Sequence, residues 1–303
     1  MFVRTDAAIE VLELLETAAN RLQLGSQRGA QGRPTEFTIM SAPAPAPHDT
    51  DPRAPRRVRH EPRRRELAVK RVDRITPHMT RVSFGGDLAG FTSLGFDDHV
   101  KMFFPDGAAP AGGEPAVAGR DYTPRRFDAA ANTLEVDFVI HDAGPATRWA
   151  IQAAPGQTLQ IGGPRGSFII PLTFDWHFLA GDDTALPAIS RRLAELPAGS
   201  RAVVLAEVDG KTDEIDFDSQ AEVSVTYAHR NGAEAGATDL LPRTLRGLKL
   251  PKGDYYAWVA CDTPTAKLMR AQLIAEHGGH PKYMRCAGYW RRGTAAIHEN
   301  IND

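Results

Sequence analysis

The chain has 303 residues and a formal net charge of −2, and 42% of its residues are hydrophobic. The balanced charge gives no indication of a nucleic-acid partner, and two cysteines, Cys261 and Cys286, are too few for a disulfide framework or a cysteine-based metal site. No stretch is apolar enough to span a membrane, and acidic residues interrupt the N-terminal segment where a signal peptide would be apolar, so we expect a cytoplasmic protein of about two domains without a bound metal ion.

Residues 1–25 have the pattern of an appended amphipathic helix, with Ile9, Leu12 and Leu15 at helical spacing. Such a helix needs a partner surface, so it either docks on the rest of the chain, mediates self-association or serves as a regulatory segment. Residues 26–62 are rich in proline, alanine and arginine, and we expect a disordered linker there.

Residues 63–173 contain short segments of alternating hydrophobicity separated by glycine and proline turns. This pattern predicts a small antiparallel β-barrel of the six-stranded type. The predicted strands cover residues 66–72, 80–84, 99–104, 120–127, 133–140, 157–161 and 167–170.

One of these strands carries the sequence Arg120-Asp121-Tyr122-Thr123-Pro124. Side chains alternate along an extended segment, so Arg120 and Tyr122 share one face, and Thr123 lies at the turn into Pro124. A guanidinium can hold a phosphate with two hydrogen bonds, and a tyrosine ring can stack on a flat heterocycle. These groups together suit a flavin dinucleotide. The alternative is an ordinary barrel strand with a surface arginine and a half-buried tyrosine.

A second phosphate-binding feature follows the strand over residues 133–140. Gly144 permits a tight turn, Pro145 is typical of a first helical position, and Thr147 adds a hydroxyl group. Free backbone N–H groups at the start of a helix favour an anion.

Residues 174–303 alternate between strands and helices, which predicts a Rossmann-like parallel sheet. We predict helices over residues 185–196, 239–248 and 263–277. Ligands of such sheets bind at the carboxyl ends of the strands, which here carry Asp182, Asp209 and Arg230. Asp209 would suit the ribose hydroxyl of NADH and Arg230 the 2′-phosphate of NADPH, so both nucleotides stay open.

From Arg63 to Gly293 the chain resembles the siderophore-interacting protein family, the FAD-dependent ferric-siderophore reductases of the ferredoxin–NADP reductase superfamily. The motifs that carry the resemblance are Arg120-Asp121-Tyr122-Thr123, Asp137-Phe138-Val139-Ile140-His141, Gly144-Pro145-Ala146-Thr147-Arg148-Trp149, Gly181-Asp182-Asp183-Thr184 and Gly288-Tyr289-Trp290-Arg291-Arg292.

The resemblance implies an FAD-binding barrel over residues 63–173 and an NAD(P)H-binding domain over residues 174–303. It assigns Tyr122 and Thr123 to the catalytic face of the flavin. The residues it implies for cofactor binding are Arg120, Tyr122, Thr123, Asp137, Val139, His141, Ala146, Thr147, Trp149, Asp182 and Thr184.

The activity implied is reduction of a ferric siderophore with electrons from NADPH, NADH or a protein donor. Many ferric siderophores are anionic, so basic residues near the flavin are expected to attract them, although each could also be a solvated surface charge. These candidates are Lys101, Arg125, Arg126, Arg291 and Arg292. Two other functions stay open: an NAD(P)H–flavin reductase for another acceptor, and a non-catalytic flavoprotein that binds ferric chelates.

Overall fold

The computed structural model describes residues 51–107, 116–141, 144–294 and 299–301. The predicted helix over residues 1–25, and residues 26–50 of the predicted linker, lie outside this part of the chain. The described residues form an antiparallel sheet, a mainly parallel sheet and a two-stranded ribbon. No helix among them has the length and apolar character needed to cross a membrane.

Seven antiparallel strands form the first sheet, in the spatial order β5-β4-β8-β2-β3-β7-β6. Its core contains fully buried Leu67, Phe84, Phe104 and Phe138. The strands are β2 (Arg64–Thr76), β3 (Met79–Gly85), β4 (Val100–Asp106), β5 (Ala116–Tyr122), β6 (Arg126–Asp128), β7 (Thr133–Val139) and β8 (Thr158–Gly162).

The strand predicted over residues 120–127 is divided in the structure. β5 and β6 lie at opposite edges of the sheet, and residues 123–125 connect the two edges. Pro124 has no N–H to donate to a neighbouring strand, which explains why the ladder ends at Tyr122. The connection therefore places Tyr122 and Thr123 where the two edges of the sheet approach each other.

The end of the predicted linker forms a strand instead. β1 (Arg56–Arg59) pairs antiparallel with β9 (Gly166–Ile169), and the Arg57 guanidinium lies 5.4 Å from the ring centroid of Phe168. Three of its four residues are arginines, so the sequence offers no hydrophobic alternation from which to predict it. The strand forms because a partner strand from elsewhere in the chain supplies its hydrogen bonds.

The second sheet has the order β12-β11-β10-β13-β14-β15, and only β15 is antiparallel to its neighbour. The predicted helices are confirmed to within about two residues of each end, which is the usual scatter of helix boundaries. The strands are β10 (Trp176–Gly181), β11 (Arg201–Val208), β12 (Glu222–His229), β13 (Tyr255–Asp262), β14 (Met284–Trp290) and β15 (Glu299–Ile301). The helices are α1 (Pro145–Ile151), which precedes the sheet, and α2 (Leu186–Glu195), α3 (Leu240–Gly247) and α4 (Thr263–Glu276).

A buried arginine connects the two sheets. Arg191 on α2 donates from Nη2 to the Ser93 carbonyl oxygen (2.9 Å) and from Nη1 to the Pro124 carbonyl oxygen (3.1 Å). Its side chain is 6% exposed, so these bonds are shielded from water. Arg191 thereby fixes the connection that carries Thr123 relative to the parallel sheet.

Candidate active site

A cleft of about 880 Å³ lies between strands β5 and β7 of the antiparallel sheet and the carboxyl ends of β10, β11 and β12. Strand order reverses between β10 and β13, and ligands of parallel sheets bind at such a point. Most of the predicted site residues line this cleft. They are Lys101, Arg120, Tyr122, Thr123, Asp137, Val139, His141, Ala146, Thr147, Asp182, Thr184, Arg291 and Arg292.

Arg120 and Tyr122 both line the cleft, as the alternation along β5 predicts. The Arg120 guanidinium donates from Nη1 to the Gly119 carbonyl oxygen (2.9 Å), and it forms no ion pair with a described carboxylate. The Tyr122 ring packs on Phe138, with ring centroids 4.5 Å apart, and burial raises the pKa of its phenol well above the usual range. Tyr122 is therefore a neutral, firmly held ring at neutral pH. Thr123 is 9% exposed beside it.

Asp137 is held by a bidentate ion pair. Arg81 on β3 is its direct neighbour in the ladder, and it donates from Nε to Oδ1 (2.6 Å) and from Nη2 to Oδ2 (2.9 Å). The Asp137 side chain is 1% exposed. This pair sets the position of β7 at the cleft wall, where Val139 and His141 follow.

Helix α1 contributes Ala146 and Thr147 to the cleft, but Trp149 does not line it. The Trp149 ring stacks on Phe84 at 6.0 Å with an interplanar angle of 12°, and it lies 5.6 Å from the Phe138 ring. Trp149 thus secures the helix on the barrel core.

Asp182 links three elements around the end of β10. Its Oδ1 accepts from the Thr184 N–H (3.0 Å) and hydroxyl (2.5 Å), and its Oδ2 accepts from Trp290 Nε1 (2.8 Å). Burial, and then the charge of Asp183, raise the pKa of Asp182 to about 6, although these hydrogen bonds oppose the rise. Thr184 is therefore fixed at the cleft, and the Trp290 ring is oriented beside it.

Arg230 lies at the end of β12 and pairs with two acids. Its Nη1 and Nη2 each donate to Asp183 at 2.8 Å, and its Nη1 lies 3.5 Å from Glu207 Oε1. Burial lowers the pKa of Arg230, but the bonds to Asp183 and the charges of Asp183, Glu207 and Asp182 together raise the pKa overall. Arg230 is thus engaged inside the protein, which disfavours the role of 2′-phosphate ligand that the sequence left open.

Burial, followed by the charge of Asp182, raises the pKa of Glu207 to about 7. Asp182, Asp183 and Glu207 all lie close enough to one arginine, Arg230, for their charges to raise its pKa.

Three of the predicted substrate-binding cations line the cleft. Lys101 pairs with Asp121, its cross-strand neighbour, at 2.8 Å. Arg292 pairs with Glu234, with Nε donating to Oε1 at 2.9 Å. Arg291 is exposed and forms no ion pair with a described acid.

The other two predicted cations do not line the cleft. Arg125 is 8% exposed, and burial lowers the pKa of its guanidinium although the charge of Asp137 opposes this. Arg126 is exposed on β6, opposite Glu135. The connection after Pro124 turns both side chains away from the site.

The cleft also holds His78, which was not predicted as a site residue, and Asp209, which the sequence placed at a strand end. His78, in the turn between β2 and β3, places Nδ1 2.9 Å from Asp213 Oδ1, and Asp209 receives a hydrogen bond from the Gly232 N–H (2.9 Å). The ligand atoms of His78, Asp209 and Asp213 lie within 4.8 Å of one another. These contacts join separate loops, so no local pattern indicates them.

The residues present fit a bound FAD. The guanidinium of Arg120 keeps donors available at the cleft, and the ring of Tyr122 is rigid there. A Cβ atom on Gly144, before α1, would meet nothing within 4 Å, so the backbone is open to a ligand. A volume of about 880 Å³ also falls in the range of small-molecule and cofactor sites.

Comparison with known proteins identifies the family of this chain. The family described as Siderophore-interacting FAD-binding domain matches residues 68–168, and the family described as Siderophore-interacting protein matches residues 174–293. The NADPH-dependent ferric-chelate reductase of Escherichia coli (strain K12) is 36% identical over 258 residues, which cover 79% of this chain and 97% of the relative. The chain belongs to the siderophore-interacting protein family.

Comparison with solved structures supports the family and the fold of this member of the siderophore-interacting protein family. The siderophore utilization protein from T. fusca is 39% identical, with a TM-score of 0.74 over 80% of this chain and 98% of that chain. The ferredoxin reductase in carbazole 1,9a-dioxygenase is 17% identical, with a TM-score of 0.55 over 74% of this chain and 68% of that chain, and it shows the fold alone. The predicted succession of an antiparallel flavin-binding barrel and an α/β nucleotide-binding domain is confirmed at this level.

Proposed function

We propose that the protein reduces a ferric siderophore with electrons from NADPH through bound FAD. The observation that carries this proposal is the cleft, in which Arg120 and Tyr122 of the barrel face the strand ends of the parallel sheet. A relative of 36% identity is named an NADPH-dependent ferric-chelate reductase, which supports the same electron donor and substrate class.

FAD, when bound, would supply chemistry that accepts two electrons from a nicotinamide and releases them one at a time to Fe(III). Arg120 would hold the pyrophosphate, and the neutral ring of Tyr122, with the Thr123 hydroxyl, would hold the flavin ring. The wall formed by Asp137, Val139 and His141 would line the flavin, and Ala146 and Thr147 would approach the phosphates.

The nicotinamide nucleotide would enter from the parallel sheet, where Thr184 is fixed by Asp182. Residues 63–173 are then the FAD-binding domain and residues 174–303 the NADPH-binding domain. Asp209 lies at the end of β11, where a carboxylate suits ribose hydroxyls, so we infer that NADH competes as a donor.

The substrate would bring its own iron ligands, so the protein has only to attract the chelate and exclude bulk water. Arg291 is the cation best placed for this, because it is exposed at the cleft without an acidic partner among the described residues. Lys101 and Arg292 can contribute after exchanging a carboxylate for the substrate. A cytoplasmic location and self-association through residues 1–25 stay predictions.

The test is NADPH-dependent formation of Fe(II) from a ferric siderophore, followed with a chromogenic Fe(II) chelator under anaerobic conditions. We expect about two Fe(II) per NADPH from electron balance. Cytochrome c and a quinone serve as competing acceptors. Faster reduction of either than of any ferric chelate would favour a general flavin reductase, and flavin binding without any reduction would favour a chelate-binding protein.

A further inference from the structure

A loop between β12 and α3 forms one side of the cleft. Its residues Gly232, Ala233, Glu234 and Ala235 all line the cleft. The loop is attached at its start, where the Gly232 N–H donates to Asp209 Oδ1 at 2.9 Å. It therefore presents the Glu234 carboxylate at the cleft.

The same loop also packs against the Trp290 ring. Gly236 has φ of +69°, a left-handed conformation that favours glycine, and a Cβ atom there would lie 2.8 Å from Trp290 Cη2. Trp290 is itself fixed by its hydrogen bond to Asp182 (2.8 Å). Close packing at Gly236 thus determines where Glu234, two residues earlier, is placed.

Glu234 forms an ion pair with Arg292, which also lines the cleft. Arg292 Nε donates to Oε1 at 2.9 Å and Nη2 donates to Oε2, so both carboxylate oxygens are bound. Arg292 follows β14 in a tight turn. In this turn Arg291 forms an isolated β-bridge with Thr294, and Gly293 has a φ of +74°. The two partners come from different loops, and each is held in place by its own backbone.

This pair is exposed to water. The side chains of Arg292 and Glu234 are 56% and 58% exposed. Exposed ion pairs stabilise a protein by about 0–1 kcal/mol, so another anion can replace Glu234 at little cost. A planar guanidinium also binds other oxygen anions with two hydrogen bonds, such as those of a chelate.

We propose that Glu234 is an internal competitor for the substrate: its carboxylate occupies Arg292 until a negatively charged ferric chelate displaces it. Glu234 then determines how strongly the site discriminates among chelates by charge. The inference rests on the proposed function, because it names the charge class of that substrate.

The test is Glu234→Gln, which keeps the shape of the side chain and removes its charge. Two hexadentate ferric chelates serve as probes: a tris(catecholate), which carries three negative charges, and a tris(hydroxamate), which is neutral. We expect the KM for the catecholate to fall about two- to five-fold, the range that an exposed ion pair allows, and the KM for the hydroxamate to stay the same.

Glu299→Gln is the matched control. Glu299 pairs with Lys267 at 2.9 Å, is 40% exposed and does not line the cleft, so the variant loses one negative charge elsewhere. It should leave both KM values unchanged. In an Arg292→Gln background, Glu234→Gln should lose its effect on the catecholate, because the cation for which the two anions compete is gone.

Different failures have different meanings. If the wild type reduces the catecholate and Glu234→Gln leaves its KM unchanged, the competitor role is refuted and the proposed function stands. If KM falls equally for both chelates, the loop acts by covering the cleft and not by charge, which also refutes the proposal. If the wild type reduces neither chelate, the proposed function itself fails.

Discussion

Replacing Arg81 with methionine removes one partner of the buried ion pair at the cleft wall. Methionine keeps most of the aliphatic stem, so the main loss is the charge and the two hydrogen bonds to Asp137. Asp137 is 1% exposed, whereas Arg81 is 24% exposed. The variant therefore leaves a buried carboxylate that has lost its direct partner.

Breaking a buried ion pair from one side costs about 3–5 kcal/mol. We expect the lower end, about 3 kcal/mol, because the Arg125 guanidinium also interacts electrostatically with Asp137. For a fold of this size, a loss of about 3 kcal/mol lowers Tm by roughly 6–12 °C. Urea unfolding at a fixed, saturating FAD concentration, followed by tryptophan fluorescence, should show a lower midpoint with an unchanged slope.

Arg201→Met is the matched control. Arg201 also faces a directly opposite strand residue, Glu222, with Nε and Nη2 at 3.0 and 3.3 Å from its two oxygens, but the side chains are 56% and 73% exposed. This variant should unfold close to the wild-type midpoint. Equal losses in the two variants would show that burial does not determine the cost of breaking the ion pair.

Three further substitutions test the cofactor site, a buried acid and a close backbone contact. Arg120→Ala should raise the Kd for FAD about 10- to 100-fold, from the loss of a charge-assisted hydrogen bond, and a fluorescence titration that finds unchanged affinity would exclude Arg120 as a phosphate ligand. Burial raises the pKa of Glu207 from an ordinary 4.5 to about 7. Between these two pH values the folded protein keeps a proton that the unfolded chain has lost. The free energy of unfolding therefore falls as pH rises through that window. Glu207→Gln should flatten this decline in urea midpoints measured from pH 4.5 to 7, and an unchanged slope would contradict the assignment. Gly181→Ala places a Cβ atom 2.0 Å from the Ala260 carbonyl oxygen and should cost about 3 kcal/mol, whereas Gly210→Ala, with open space around it, should keep the wild-type midpoint.

The sequence predicted much of the cleft because its residues lie in local patterns. Alternation along one strand placed Arg120 and Tyr122 on the same face, and strand ends of a parallel sheet placed Asp182 near the same site. These inferences need only the repeat of a strand and the edge at which parallel strands end.

Other features depend on contacts between distant parts of the chain. The short strand Arg56–Arg59 forms only because it pairs with the distant strand Gly166–Ile169. Arg125 is buried because the chain crosses between two sheet edges after Pro124, which a single predicted strand could not show. The sequence placed Arg230 at the correct edge of the parallel sheet, but its pairing with Asp183 depends on the direction of the side chain.

The most direct test of the central claim is the visible spectrum of the purified protein incubated with FAD, recorded without oxygen. We expect a bound-flavin spectrum that bleaches on addition of NADPH and returns on addition of a ferric siderophore, with Fe(II) appearing as the colour recovers. A flavin that bleaches but stays reduced after the ferric siderophore is added would contradict this expectation.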